Sequence, residues 1–339
     1  MRILVLAGGD SNEWAVSLDS GAAICHALKR LGHEVHAINP ASGLNLIDAE
    51  GHFWLEDDSA SDSDLVTHKG DLSLLANALS TTYADIDLVF IGLHGGGGED
   101  GSIQNLLELA GKKYTGSDMS ASAVAMNKAV AKRIMASVDV PTPRWKLYRV
   151  GVNEEFSQWA DEIADEFGVP LIVKPNDGGS TIGLTKVKSV SDITEALRLA
   201  AEQSNEILVE AYIAGRELTV SVFDGKAYPL VEIKPVSGGL YDYEAKYTKG
   251  KSEYIAPADV DETLAVNIQQ AAVRIYDAVG CIGLARVDFI LNEKNLFFCL
   301  EINTLPGMTA LSLSPMAVAC EGIGFDQLVA MIIDSAMRK

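Results

Sequence analysis

Residues 3–7 form an unbroken apolar run, Ile-Leu-Val-Leu-Ala, between Arg2 and the pair Gly8-Gly9. A run of that length suits a strand buried on both faces. After the glycine turn, apolar positions recur at helical spacing over about 17–30, and residues 34–38 read as a strand again. Residues 87–93 predict a third strand and 102–109 a helix. Strand–helix alternation of this kind predicts a parallel α/β sheet over roughly 1–118.

The pattern then changes. Residues 121–136 read as one helix, ended by Pro141 and Pro143, since the residue before a proline is biased away from helix. Residues 170–173 and 185–187 are strand-like and flank a Gly/Ser loop; 191–201 predicts a helix opened by a capping residue. Residues 217–223 and 228–233 are joined through Asp224-Gly225, a strong hairpin signal. A long helix fits 261–279, and 285–291 with 296–302 predict two strands around a short polar turn. Hairpins and helices in succession predict an α+β second part.

Length and composition narrow the class. At roughly 150 residues per domain, 339 residues suggest about two domains. Hydrophobic residues make up 48%, which excludes a disordered or fibrous chain. Lys+Arg minus Asp+Glu is 27 − 47 = −20. A surface this acidic repels phosphate backbones and anionic lipid, so the expected partners exclude nucleic acid and membrane. Residues 56–64 concentrate that charge and predict an exposed loop. Cys25, Cys281, Cys299 and Cys320 show no CxxC spacing and predict buried free thiols. No stretch reaches about 18 apolar residues, and the N-terminal run is too short for a signal peptide, so the expected location is cytoplasmic.

Three segments carry candidate chemistry. The first is Arg286-Val287-Asp288-Phe289 followed by Leu300-Glu301-Ile302-Asn303. If Lys294-Asn295 is a two-residue turn, Asp288 lies opposite Glu301 and Arg286 opposite Asn303. Two facing carboxylates repel unless something sits between them, and a Mg²⁺ ion would serve; a surface hairpin with solvated charges is the alternative. The second is the loop from Lys174 to Gly183, whose Gly178, Gly179 and Gly183 would let backbone N–H groups converge on an anion, or simply make a glycine hairpin. It lacks P-loop order. The run at 95–98 could also cradle an anion, with Asp100 as a helix cap. The third, residues 241–247, mixes aromatics and charges without an obvious reading. The six histidines have no HxxxH or HExxH spacing, predicting no zinc site and mostly solvated side chains.

Taken in order along the chain, these segments resemble the D-alanine–D-alanine ligases of the ATP-grasp superfamily. The resemblance is carried by Gly8-Gly9 through Ser20-Gly21, Leu93-His94-Gly95, Gly98-Glu99-Asp100-Gly101, Tyr114-Thr115-Gly116-Ser117, Lys174-Pro175 with Gly179-Ser180, Tyr241 to Tyr247, and Glu301 to Thr309 with Ser312-Leu313 after it. It implies an α/β N-terminal domain followed by a two-part α+β ATP-grasp fold: an N-terminal domain at 1–118, a central subdomain at 119–211 and a C-terminal subdomain at 212–339. It also implies ATP-dependent ligation of two D-alanine molecules through an acyl phosphate for peptidoglycan precursor synthesis, and a homodimer. The alternative is a related dipeptide or depsipeptide ligase with a different second substrate.

The same resemblance implies roles. Lys128, Lys174 and Lys246 would contact ATP phosphates, and Glu210, Tyr212, Ile213 and Glu217 would line the adenine and ribose pocket. Asp288, Glu301 and Asn303 would hold two Mg²⁺ ions, with Mn²⁺ as a substitute. Glu13, Val16 and His94 would receive the first D-alanine, and Ser312 and Leu313 the carboxylate of the second. Glu13, Ser180 and Tyr247 would form a network closing the site, and Arg286 with the Gly307 N–H would stabilise the tetrahedral oxyanion. The Gly178-Gly179 loop and segment 238–251 are the expected lids. Three positions depart from the family: Asn127 where Asp is usual, Gly178 where Glu is common, and Leu311 where His usually precedes the serine. Tyr247, in place of the Phe of depsipeptide-forming relatives, favours an amine acceptor.

Overall fold

The computed structural model describes residues 1–48, 50–53, 71–151, 155–179, 181–235 and 250–339. The expected acidic loop at 56–64 lies outside them, as do Ser180, Lys246 and Tyr247.

The first sheet is parallel, in the order β2-β1-β3, from β1 (Arg2–Leu6), β2 (Glu34–Ile38) and β3 (Leu88–Ile91). The central strand is the continuous apolar run, and its Ile3, Leu4, Val5 and Leu6 are fully buried. Helix α1 (Trp14–Arg30) starts three residues before the periodicity predicts. The extra turn places Glu13 at its N-cap position, where the positive end of the helix dipole favours a carboxylate. Helices α2 (Ser73–Ser80) and α3 (Ser102–Leu109) complete this part.

The helix expected over 121–136 is two helices, α4 (Met119–Met126) and α5 (Lys128–Ser137). Asn127 breaks the path with ψ 95°, and its side chain accepts from the Val130 N–H, so one residue ends α4 and caps α5. The second sheet is antiparallel in the order β4-β7-β5-β6: β4 (Trp145–Arg149), β5 (Leu171–Pro175), β6 (Thr185–Val187) and β7 (Glu206–Ala211). Helices α6 (Ser157–Phe167) and α7 (Ile193–Ala201) share a core with Leu171, Val173 and Val209. Alternation puts Ile172, Lys174 and Glu210 on the opposite face. Helix α7 is entered through a short 3₁₀ turn at Val190–Asp192 with no side-chain cap, unlike the capped start expected.

The third sheet has β8 (Arg216–Phe223), β9 (Lys226–Ala227), β10 (Val231–Pro235), β11 (Ser252–Ile255), β12 (Leu284–Leu291) and β13 (Phe297–Asn303), ordered β11-β10-β8-β12-β13 with β9 on β8. The Asp224-Gly225 turn has φ of 45° and 82°, the two left-handed residues a tight hairpin needs. Helix α8 (Glu262–Val279) covers one face together with α4 and α5. Helices α9 (Leu313–Ala319) and α10 (Phe325–Met337) follow, and Leu328 and Ile332 of α10 share a core with Leu18 and Leu28 of α1. All four cysteines are free, but Cys320 is exposed, against the expectation that all are buried. Among the described residues no helix is long and apolar enough to cross a membrane.

Candidate active site

The three sheets enclose a cavity of about 860 Å³, and every predicted site residue among the described residues lines it. Glu13, Val16 and His94 come from the first sheet's side. Lys128, Lys174, Glu210, Tyr212 and Ile213 come from α5, the second sheet and its exit. Glu217, Arg286, Asp288, Glu301 and Asn303 come from the third sheet, and Gly307, Ser312 and Leu313 from the segment after it.

The β12–β13 hairpin sets Asp288 opposite Glu301 and Arg286 opposite Asn303, the pairing predicted, but by a different route. Beyond Asp288 the register is offset by one, with Phe289 opposite Cys299 and Leu291 opposite Phe297. The turn is therefore not the two-residue turn assumed, and Leu300 is the extra residue of a bulge that restores the register at the site. The repulsion is met by protein cations. Arg286 donates to both Asp288 oxygens at 2.8 and 2.9 Å, Asn303 Nδ2 donates to Asp288 Oδ2 at 3.1 Å, and Lys128 Nζ lies 3.8 Å from Glu301. The described residues hold no group of three or more His, Cys, Asp and Glu side chains placed for a metal. Two carboxylates and an amide are nonetheless hard oxygen donors, the set that Mg²⁺ takes alongside water and phosphate oxygens, so these residues fit that ion.

The wall formed by α5 and the second sheet is cationic. Lys174 Nζ lies 3.0 Å from Glu210 Oε1, and both side chains are almost fully buried. The first turn of α5 is tied to this sheet by Asn176, which is 1% exposed. Its carbonyl accepts from the Lys128 N–H and its Oδ1 from the Ala129 N–H, while its Nδ2 donates to Asn127 Oδ1. The helix end is thus satisfied by protein groups. Lys128 Nζ donates to the Gly178 carbonyl at 2.6 Å, joining this wall to the glycine loop. Lys186 Nζ sits 3.5 Å from the centre of the Tyr212 ring, a cation–π contact beside the pocket.

The opposite wall is anionic. A Cβ on Gly95 or on Gly179 would lie 2.5 Å from Glu13 Oε2, so two glycines from different sheets close around one carboxylate. Beside the 95–98 run, read as able to cradle an anion, lie two of the protein's own carboxylates: Glu13 at Gly95, and Glu99, which accepts from the Gly95 N–H at 3.1 Å. Asp100 accepts from the Ser102 N–H and supports the start of α3, although Gly101 holds the cap position. His94 is buried, not solvated. Its Nδ1 is 3.1 Å from the Leu305 carbonyl and its Nε2 2.8 Å from Ser20 Oγ, so both ring nitrogens are used within the protein. Burial lowers its pKa, which suits a neutral ring that orients its neighbours rather than binding through a nitrogen. At the far end, Ser312 Oγ accepts from the Thr309 N–H at 3.1 Å, and a Cβ on Gly307 would lie 2.9 Å from it, which keeps that turn tight.

Comparison with known proteins shows the family. Residues 2–117 match the family described as D-ala D-ala ligase N-terminus, and residues 134–334 match D-ala D-ala ligase C-terminus. The chain belongs to the D-alanine–D-alanine ligase family. A D-alanine–D-alanine ligase of Syntrophotalea carbinolica is 40% identical over 100% of this chain and 97% of its own length. The crystal structure of D-alanine–D-alanine ligase from Bacillus anthracis complexed with ATP superposes with a TM-score of 0.76 at 29% identity, covering 100% of this chain and 98% of that one. The VanG D-Ala:D-Ser ligase from Enterococcus faecalis superposes at 0.77 and 29% identity, covering 99% of each chain. The fold is the ATP-grasp fold of these D-alanine–D-alanine ligases.

At Asn127, where the resemblance implies Asp, the amide oxygen caps α5 by accepting from the Val130 N–H. Pattern reading missed the half-buried Glu99 and the buried Lys132. Glu99 appeared only as part of a motif, and Lys132, on the turn of α5 after Lys128, reads in sequence as an ordinary exposed helix lysine. It is fully buried, 2.9 Å from Glu210 Oε1.

Proposed function

We propose that this chain joins two D-alanine molecules into D-alanyl-D-alanine at the expense of ATP, supplying peptidoglycan precursors in the cytoplasm. The observation that carries the reading is one cavity with opposed walls: Lys128, Lys174 and Arg286 suit a polyphosphate, and Glu13 between Gly95 and Gly179 suits an ammonium. The division into 1–118, 119–211 and 212–339 and a homodimeric assembly remain part of this reading, as does closure by Ser180, Lys246 and Tyr247.

A carboxylate is a poor electrophile, so the first D-alanine, held through its ammonium by Glu13, is first phosphorylated by ATP. Glu210, Tyr212, Ile213 and Glu217 would hold the adenine and ribose, and Lys128, Lys174 and Lys246 the phosphates. Asp288, Glu301 and Asn303 would hold two Mg²⁺ ions, which when bound offset charge on the phosphoryl group. The second D-alanine, with its carboxylate at Ser312 and Leu313, loses an ammonium proton before its amine attacks. Arg286 and the Gly307 N–H would stabilise the oxyanion that forms, and phosphate leaves. Val16 and the neutral His94 shape the first subsite. Water would hydrolyse the acyl phosphate, which is why closure of the 178–179 and 238–251 segments belongs to the proposal.

Leu311 favours keeping a second acceptor in view. It lines the cavity and is 77% exposed where relatives usually carry His. D-Serine or a hydroxy acid is that second reading. The test is incubation with ATP, Mg²⁺ and D-alanine, alone and with D-serine or D-lactate, with products identified by mass. D-Alanyl-D-alanine with stoichiometric phosphate is expected. Phosphate release only when another acceptor is added would overturn the proposal.

A further inference from the structure

Lys132 is the buried ionisable group that the chemistry above leaves unused. Its side chain has no exposure and it does not line the cavity. An isolated ammonium in such a place is strongly disfavoured, so its partners define its role. They are Glu210 Oε1 at 2.9 Å and Thr142 Oγ1, which accepts at 2.6 Å. Lys174 reaches the same Glu210 oxygen from the other side, at 3.0 Å. Glu210 and Lys174 face the cavity, and Lys132 stands behind them.

We propose that Lys132 is a positioning residue of the nucleotide pocket: sharing Glu210 Oε1 with Lys174, it fixes the Glu210 carboxylate and leaves Lys174 free to attract phosphate. The inference rests on the reading of this cavity as the ATP site. The charge count carries it. Burial lowers the Lys132 pKa and the Glu210 charge opposes that lowering; with Lys132 protonated the three groups sum to +1, and Glu210 is divided between two ammoniums. Without it Glu210 and Lys174 form a neutral pair, and the ammonium that faces the cavity is spent on a neighbour 3.0 Å away. Burial alone would raise the Glu210 pKa, yet the two lysines hold it below its ordinary value, so the carboxylate stays ionised in the wall.

The test uses the full-length enzyme and the Lys132→Met variant, which keeps an unbranched side chain one atom shorter and removes the charge. ATP affinity, measured by calorimetry without D-alanine, is expected to fall about tenfold, with the KM for D-alanine within twofold of the parent. Lys132→Met combined with Glu210→Gln is expected to bind ATP no worse than Glu210→Gln alone, because Lys132 acts through that carboxylate. If Lys132→Met does not fold, Thr142→Val, which removes only the hydroxyl, is expected to give a smaller shift of the same sign. Unchanged ATP affinity in a folded Lys132→Met protein, equal changes for ATP and D-alanine, or additive losses in the double variant would overturn the inference. Unchanged ATP affinity in Glu210→Gln would instead overturn the reading of the cavity on which it rests.

Discussion

The two walls of the cavity hold charge in opposite ways. On the α5 and second-sheet side, Lys132 and Lys174 converge on one carboxylate, and Lys128 reaches across toward Glu301. On the first-sheet side, Glu13 and Glu99 crowd around a glycine turn with a neutral histidine beneath. The cationic wall lowers the cost of its buried carboxylate by adding ammoniums. On the anionic wall the Gly95 N–H donates to Glu99, Glu13 sits at the positive end of the α1 dipole, and Arg286 acts on Glu99. The two walls thus differ in sign, and a zwitterionic amino acid beside a polyphosphate would complement both. A chain of net charge −20 can thus bind a polyanion, because the sign reverses locally.

Arg286 stands between the walls, paired with Asp288 through two hydrogen bonds. If it serves the oxyanion, Arg286→Ala is expected to lower kcat by about 10²–10³ while the KM for ATP changes far less. Steady-state kinetics with both substrates varied, beside a thermal unfolding curve, checks this. A loss of activity matched by an equal loss of folded protein would make Arg286 only a partner of Asp288.

Gly179 tests the anionic wall more gently. Its absent Cβ would meet Glu13 Oε2, the far end of a flexible side chain, so the added methyl displaces the carboxylate rather than the backbone. Gly179→Ala is expected to raise the KM for the first D-alanine about tenfold, with ATP affinity nearly unchanged and the thermal midpoint close to the parent's. Equal effects on both substrates would show that the two walls are not separable at this loop.

How much of this was legible in the sequence differs between the walls. The parallel sheet was readable because β1 is buried on both faces and so leaves a continuous apolar run. The facing of Asp288 and Glu301 was readable too, although the assumed turn was wrong and the Leu300 bulge compensated for it. Strands β4 and β7 left no clear pattern: β4 mixes Trp145, Lys146 and Arg149 with apolar positions, and β7 is bounded by Glu206 and carries the buried Glu210. The break at Asn127 was hidden because α4 and α5 both continue a helical period, and only the side-chain cap reveals it. Lys132 was illegible because lysine on a helix signals solvent unless its partner is known, and Glu210 is contributed by a strand far along the chain. Apart from the Arg286–Asp288 and Glu301–Asn303 strands and the Lys174 loop, the candidate site residues were named by resemblance to relatives, not by periodicity.

The remaining effect is on stability rather than turnover and concerns Glu99. Burial and the neighbouring Glu13 charge raise its pKa from 4.5 to about 8, against the Gly95 N–H and Arg286, which act the other way. In the folded protein it therefore keeps its proton at neutral pH, whereas in the unfolded chain it loses it near 4.5. Between those values the folded state binds the extra proton, so the group's contribution to stability is complete below about 4.5 and is lost as pH rises toward 8. Glu99→Gln keeps the size and removes the titration. Urea unfolding of both proteins at pH 5, 6.5 and 8 is expected to show the variant gaining on the parent by about 3 kcal/mol across that range. A constant difference at all three values would mean that Glu99 is already ionised when folded. The anionic wall would then hold two full charges, and its likeness to the cationic wall, with Arg286 as the compensating partner, would be closer than the geometry alone implies.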